Sequence, residues 1–185
     1  MLDAAEKLIL EVGAHKTTLK EVGENAGYSR GLAHSRYGSK EVLFMRLAER
    51  CVENWLNTLR IEGAGKTGIK ALTSRLDSVI TYAKKYPEDA RVLYVLWFES
   101  VGMSGPMREQ LGRFHHAARK DIEDIVTQAQ DLGEIDKGID KGGFALHLTS
   151  SFFGLSYQWL VSPDSVSVEK SVRLFRDYAV TLLQK

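Results

Sequence analysis

Apolar side chains recur along this chain at intervals of three and four residues, the period of helices that bury one face. Leu2, Ala5, Leu8, Ile9 and Val12 predict a first helix over 3–12, with Asp3 as its cap and Gly13 as its stop. Leu19, Val22 and Ala26 mark a short second helix, capped by Thr17 or Thr18 and ended by Ala26-Gly27. Ala33 and Tyr37 mark a third short helix that opens at Tyr28-Ser29, with Ser29 placed to cap it. A stripe through Leu43, Phe44, Leu47, Cys51, Trp55, Leu56 and Leu59 predicts a much longer helix over 39–59, and Gly63-Ala64-Gly65-Lys66-Thr67-Gly68 then breaks the pattern. Ile69, Leu72, Leu76, Val79, Ile80 and Ala83 predict a fifth helix. The stretch 88–101 is apolar nearly all round; its β-branched and aromatic residues suit a buried strand, but no partner strand appears elsewhere, so a buried helix is expected. Beyond Ser104-Gly105-Pro106 a long amphipathic helix carries Met107, Leu111, Phe114, Ile122, Ile125 and Leu132. Phe144, Leu148, Phe152, Leu155 and Trp159, and then Val168, Val172, Phe175, Ala179 and Leu182, define two final helices. The expected fold is all-α, with about nine helices.

Two short helices joined by a glycine-containing turn make a helix-turn-helix, whose second member lies in a DNA major groove. With Leu19, Val22, Ala26, Ala33 and Tyr37 forming its inner face, Arg30, Gly31, Leu32, His34 and Ser35 remain available to the groove. The overall net charge of +1 decides nothing. Local charge does: from Tyr28 to Arg46, Arg30, Arg36, Lys40 and Arg46 stand against Glu41 alone, the sign a phosphate backbone requires. A solvated basic helix face would explain that surplus by itself; its coincidence with the helix-turn-helix favours DNA.

Composition narrows the remaining classes. Apolar residues at 44% and charged residues at 26% suit a soluble globular protein. The longest apolar run, Val92 to Phe98, is too short to cross a membrane. The acidic N-terminus does not resemble an export signal, and Cys51 has no second cysteine to pair with, so a cytoplasmic location is expected. Gly63, Gly65, Lys66 and Thr67 lack the spacing of a phosphate-binding loop and follow no strand. Without a nucleophile elbow, a cofactor loop or a carboxylate pair in context, the chain is not expected to be an enzyme or to carry a cofactor. His115-His116, His147 and Cys51 offer no ligand pair at helical spacing, so no metal site is expected.

The stretches Met1-Leu2-Asp3-Ala4-Ala5, Glu11-Val12-Gly13, Thr17-Thr18, Ala26-Gly27-Tyr28-Ser29-Arg30-Gly31, Tyr37 and Ser39-Lys40-Glu41-Val42-Leu43 resemble the TetR-type one-component transcriptional regulators. The pattern covers the first quarter of the chain; the rest is similar only in the number and lengths of its helices. The resemblance implies a helix-turn-helix DNA-binding domain over 1–45 and a helical effector-binding and dimerisation domain over 46–185. It implies a homodimer, acting as a repressor, that binds double-stranded DNA at a palindromic operator and is released by a small, mainly apolar effector. Base-facing positions fall on Arg30, Gly31, Leu32 and His34, and phosphate-contacting ones on Thr18, Ser29, Tyr37 and Lys40. Physical chemistry agrees: Gly31 permits close approach, Arg30 suits guanine O6 and N7, and Lys40 adds charge near a helix start. His34 departs from the tyrosine usual in the family, and Tyr37 from a phenylalanine. The basic arm that precedes the first helix in many members is either dispensed with or lies upstream of Met1.

Trp55, Tyr82, Tyr94, Trp97, Phe98, Met103 and Phe114 are, as a set, able to line an effector pocket, although each alone also suits plain core. Phe152, Leu155, Trp159, Phe175 and Leu182 lie on the last two helices, where small residues such as Ser150, Ser151 and Gly154 allow close approach to a second copy. The same stripes would serve equally to finish one chain's own core; the need for a second reading head tips the balance towards a dimer. The rival reading is a helical dimer that binds ligands or proteins and has lost specific DNA binding.

Overall fold

The computed structural model describes residues 1–102 and 104–183, with every side chain but that of Arg30. Among the described residues there are nine helices and no strand: α1 (Leu2–Val12), α2 (Leu19–Asn25), α3 (Arg30–Tyr37), α4 (Lys40–Gly63), α5 (Gly68–Lys85), α6 (Pro87–Val101), α7 (Pro106–Asp131), α8 (Lys141–Val161) and α9 (Val168–Leu183). The stretch that admitted a strand is α6. Val92, Leu93, Leu96 and Trp97 are buried on it, whereas Phe98 and Val101 are exposed, so it has an outward face that its composition hides.

The chain packs as two compact units, Met1–Trp55 with Tyr86–Leu111, and Leu56–Lys85 with Gly112–Lys185. In the first, α1 packs on α2 and α6, and α2 on α3. Ala5 and Ile9 of α1, Val22 of α2, Ala33 of α3 and Leu43, Leu47 and Cys51 of α4 are all essentially sealed from solvent. Burial pushes the Cys51 thiol far up, and the neighbouring Asp89 carboxylate adds to the effect. Met1, and not Asp3, occupies the cap position of α1. Asp3 faces α4 instead, where Arg50 bridges it and Glu6. A second polar tie joins α4 to α6: Asn54 Nδ2 donates to Asp89 Oδ2 at 2.8 Å. Both ties satisfy groups that would be costly to leave unpaired beneath the surface.

In the second unit α5 and α8 pack on α9. Arg75 organises one end: its Nε and Nη2 grip Asp121 at 2.7 and 3.1 Å, and its Nη1 donates to the Leu59 carbonyl at 3.1 Å. A Cβ at position 63 would meet that guanidinium, so a side chain there requires Arg75 to shift. The start of α5 is capped from afar. Glu134 Oε2 accepts from Ile69 N at 2.7 Å and Gln128 Oε1 from Gly68 N at 3.1 Å, anchoring amides that have no partner within the helix. On the opposite side Arg176 of α9 donates to both oxygens of Asp77 at 3.0 and 3.1 Å.

Candidate nucleic-acid interface

The reading head begins with Thr18. Its Oγ accepts from Glu21 N at 3.2 Å and donates to Glu21 Oε2 at 2.8 Å, while the same carboxylate oxygen accepts Thr18 N at 3.1 Å, which closes a capping box on α2. Thr17, by contrast, is buried; it donates to the Gly13 carbonyl at 2.9 Å and closes the turn after α1. At the other end of α2, Tyr28 N reaches the Gly23 carbonyl at 2.9 Å and Gly27 N the Glu24 carbonyl at 3.1 Å. With Gly27 at φ +76° this is the paired hydrogen-bond pattern that lets a helix stop and turn sharply.

Close packing then sets the angle of α3. A Cβ added at Gly23 would lie 3.3 Å from the Ala33 Cβ, so a larger residue at either position would push α3 away from α2. At about 100° per residue, burying Ala33 and half-burying Tyr37 turns Gly31 and Ser35 directly outward, with Leu32 beside them and His34 and Arg36 at the flanks. All five are exposed, and nothing stands within 4 Å of where a Gly31 Cβ would be. The outward edge is therefore a nearly bare stretch of backbone bordered by an aliphatic, a hydroxyl and an imidazole side chain.

The predicted phosphate-contacting residues have distinct surroundings. Ser29 holds the cap position of α3 in extended conformation, yet its hydroxyl makes no capping bond: the expected side-chain cap does not form, and the exposed hydroxyl is left for other partners. The Thr18 hydroxyl is engaged within its capping box. Tyr37 is half-buried with the Arg36 guanidinium 5.7 Å from its ring centre. Lys40 turns back toward the turn after α1, its Nζ 3.3 and 3.2 Å from the carbonyls of Ala14 and His15 and 5.6 Å from the Phe44 ring centre. It thus pins the start of α4. The side chain of Arg30 lies outside the described residues.

The aromatic residues expected to receive an effector fall in both units. In the first, Trp97 is buried, Trp55 and Tyr94 are half-buried and Phe98 is 59% exposed; Tyr94 lies 6.1 Å from Trp97 and 5.8 Å from Phe98, measured between ring centres. In the second, Tyr82 is buried and Phe114 half-buried. Met103 lies outside the described residues. Phe153, which periodicity did not single out, stands 6.3 Å from Phe114 and 4.5 Å from His115, and Phe152 of the α8 stripe stands 5.3 Å from Phe153. Burial, with Arg119 nearby, lowers the His115 pKa below its ordinary value. The adjacent Phe152-Phe153 pair, of which only Phe152 fits the α8 stripe, was the available signal.

Of the residues expected at a dimer interface, Phe152, Leu155, Trp159 and Phe175 are half-buried and Leu182 is exposed. Further exposed apolar side chains extend that surface: Leu174 and Tyr178 precede Leu182 at four-residue spacing on α9, and Leu146, Tyr157 and Val161 share one side of α8. None of these belongs to the inward stripe by which the two helices are recognised in sequence.

Comparison with known proteins bears on the whole chain. Residues 1–47 match the family model of bacterial regulatory proteins of the tetR family, and residues 72–184 match that of the BetI-type transcriptional repressor C-terminal region. The fatty acid degradation regulator FadR from Bacillus halodurans is similar over 97% of this chain and 92% of its own, with a TM-score of 0.82 and 13% identity. SmeT, the repressor of the Stenotrophomonas maltophilia multidrug efflux pump SmeDEF, is 24% identical over 100% of this chain and 88% of its own, with a TM-score of 0.79. A transcriptional regulator from Saccharomonospora viridis in complex with choline is 19% identical over 96% and 92%, with a TM-score of 0.80. These structures share the fold, and the two family models carry the assignment: the chain belongs to the TetR family of DNA-binding transcriptional regulators.

Proposed function

We propose that the protein is a cytoplasmic homodimeric repressor that binds a palindromic operator and leaves it on taking up a small, mainly apolar effector. The observation that carries this reading is the outward edge of α3, where Gly31, Leu32, His34 and Ser35 are exposed while Ala33 and Gly23 hold the helix tightly on α2. In this reading residues 1–45 form the reading head, in which Arg30, Gly31, Leu32 and His34 face bases and Thr18, Ser29, Tyr37 and Lys40 serve the phosphates. Residues 46–185 take the effector and pair the two copies. The exposed apolar residues of α8 and α9 support pairing, because isolated monomers rarely leave such a surface uncovered. Trp55, Tyr82, Tyr94, Trp97, Phe98, Met103 and Phe114 are the candidates for contact with the effector. A related fold that holds choline, and SmeT in complex with triclosan, support uptake of a small molecule, and the triclosan complex supports one with substantial apolar surface.

The assignment of roles is tested by contrast. Arg30→Ala should relax base preference, costing about 1–3 kcal/mol on the best sequence and little on others. Lys40→Ala should weaken all sequences alike. Equal losses across sequences for both variants would overturn the division into base-reading and backbone-serving residues.

A further inference from the structure

Leu32 stands out on α3. It is 43% exposed on the eight-residue helix Arg30–Tyr37, one position from sealed Ala33, and next to the open space over Gly31. The side chains that share its outward sector, Ser35 and Arg36, are polar. An aliphatic side chain set in a polar sector, beside a glycine that allows close approach, is suited to an apolar partner supplied from outside. A major groove offers one such methyl group, the thymine C5-methyl; apart from ring C–H edges, the other base features there are hydrogen-bond donors or acceptors that leucine cannot satisfy.

We infer that Leu32 selects thymine at one position in each operator half-site by packing its methyls on the thymine C5-methyl. This rests on the reading of α3 as the groove helix, and it adds a chemical identity to one base pair. The same leucine would disfavour cytosine at that position, because it would cover the cytosine amino group without accepting its hydrogen bond. Ser35, exposed on the same sector, is placed to reach a neighbouring base edge with its hydroxyl.

The test removes the methyl and nothing else. The probe is a duplex enriched by the full-length protein from a random pool, together with versions carrying deoxyuridine for thymine at one position at a time. For the wild-type protein, one thymine per half-site should be sensitive, with affinity falling about fourfold when one methyl is lost and about sixteenfold when both half-sites lose it. Leu32→Ala should bind thymine and uracil duplexes equally. Its helical content and melting temperature should match the wild type, since the side chain is exposed. If the enriched duplex is bound specifically yet every thymine can be replaced within twofold, the inference fails while the groove helix stands. Leu32→Ala that keeps the wild-type methyl sensitivity also overturns it, by assigning the contact to another residue. A pool that yields no enriched sequence overturns the DNA reading itself, and the inference with it.

Discussion

Leu182 and Leu183 are neighbours on α9 with opposite fates: Leu183 is 1% exposed and Leu182 is 67% exposed. If copies pair through α9 as proposed, Leu182→Lys separates pairing from folding. Complete burial of a leucine side chain is worth about 1.5–3 kcal/mol, and about two thirds of that remains to be gained here, or about 1–2 kcal/mol per copy. A twofold interface contains the residue twice. Its loss should raise the dimer dissociation constant by about 2–4 kcal/mol, or about 30- to 900-fold. Sedimentation equilibrium over a wide concentration range measures this, and circular dichroism should show unchanged helix content. Leu183→Ala is the contrasting control, since opening a cavity there should cost the fold itself about 2–5 kcal/mol. A Leu182→Lys dimer within threefold of the wild-type dissociation constant, or a wild-type protein that stays monomeric at high concentration, would refute the assignment of α9 to the interface.

Two further predictions concern each compact unit separately. Gly68→Ala faces a φ of +54° and would drive a Cβ into a Glu134 carboxylate oxygen, so the backbone strain and the lost bond to Ile69 N should together cost about 2–4 kcal/mol in urea unfolding. In a Glu134→Ala background the same change should cost only about 1–2 kcal/mol; equal costs in both backgrounds would contradict the clash. Burial raises the Glu6 carboxyl above its ordinary 4.5, with the Arg50 guanidinium working against it. The fold thus holds the Glu6 proton more tightly than the unfolded chain does, and this contribution is complete below pH 4.5 and lost as pH rises through the raised value. The unfolding free energy of the wild type minus that of Glu6→Gln should accordingly decrease as pH rises from 4.5, and an increase across that window would contradict the sign.

Much of this architecture is written in local chemistry. The helical period located all nine helices, and Gly13, Gly27 and the pair Thr17-Thr18, of which Thr18 is the cap, marked ends of the first two, because caps and stops depend on residues close in sequence. Long-range ties left no such trace. That Asp3 would pair with Arg50 and leave Met1 at the cap depends on α4 lying beside α1. Glu134 capping α5 across 65 residues is equally invisible to periodicity. At the candidate site, the exposure of Gly31, Leu32 and His34 followed from the placement of Ala33. The orientation of Lys40 towards two carbonyls did not, because basic residues near a helix start have several acceptors within reach. Leu174 and Tyr178, which continue the exposed line of Leu182, were hidden for a related reason: α9 is apolar on more than its inner stripe, and periodicity reports the inner stripe first.

In the proposed function, two copies of the exposed edge of α3 read DNA together. Selection of bound fragments from a pool of random duplexes, at low salt and without added ligand, tests it most directly. Two reading heads acting together should enrich a palindrome whose half-site centres lie about 34 Å, or a multiple of that, apart along the duplex. Recovery of fragments with no shared sequence, or of a lone half-site with no partner, would contradict it.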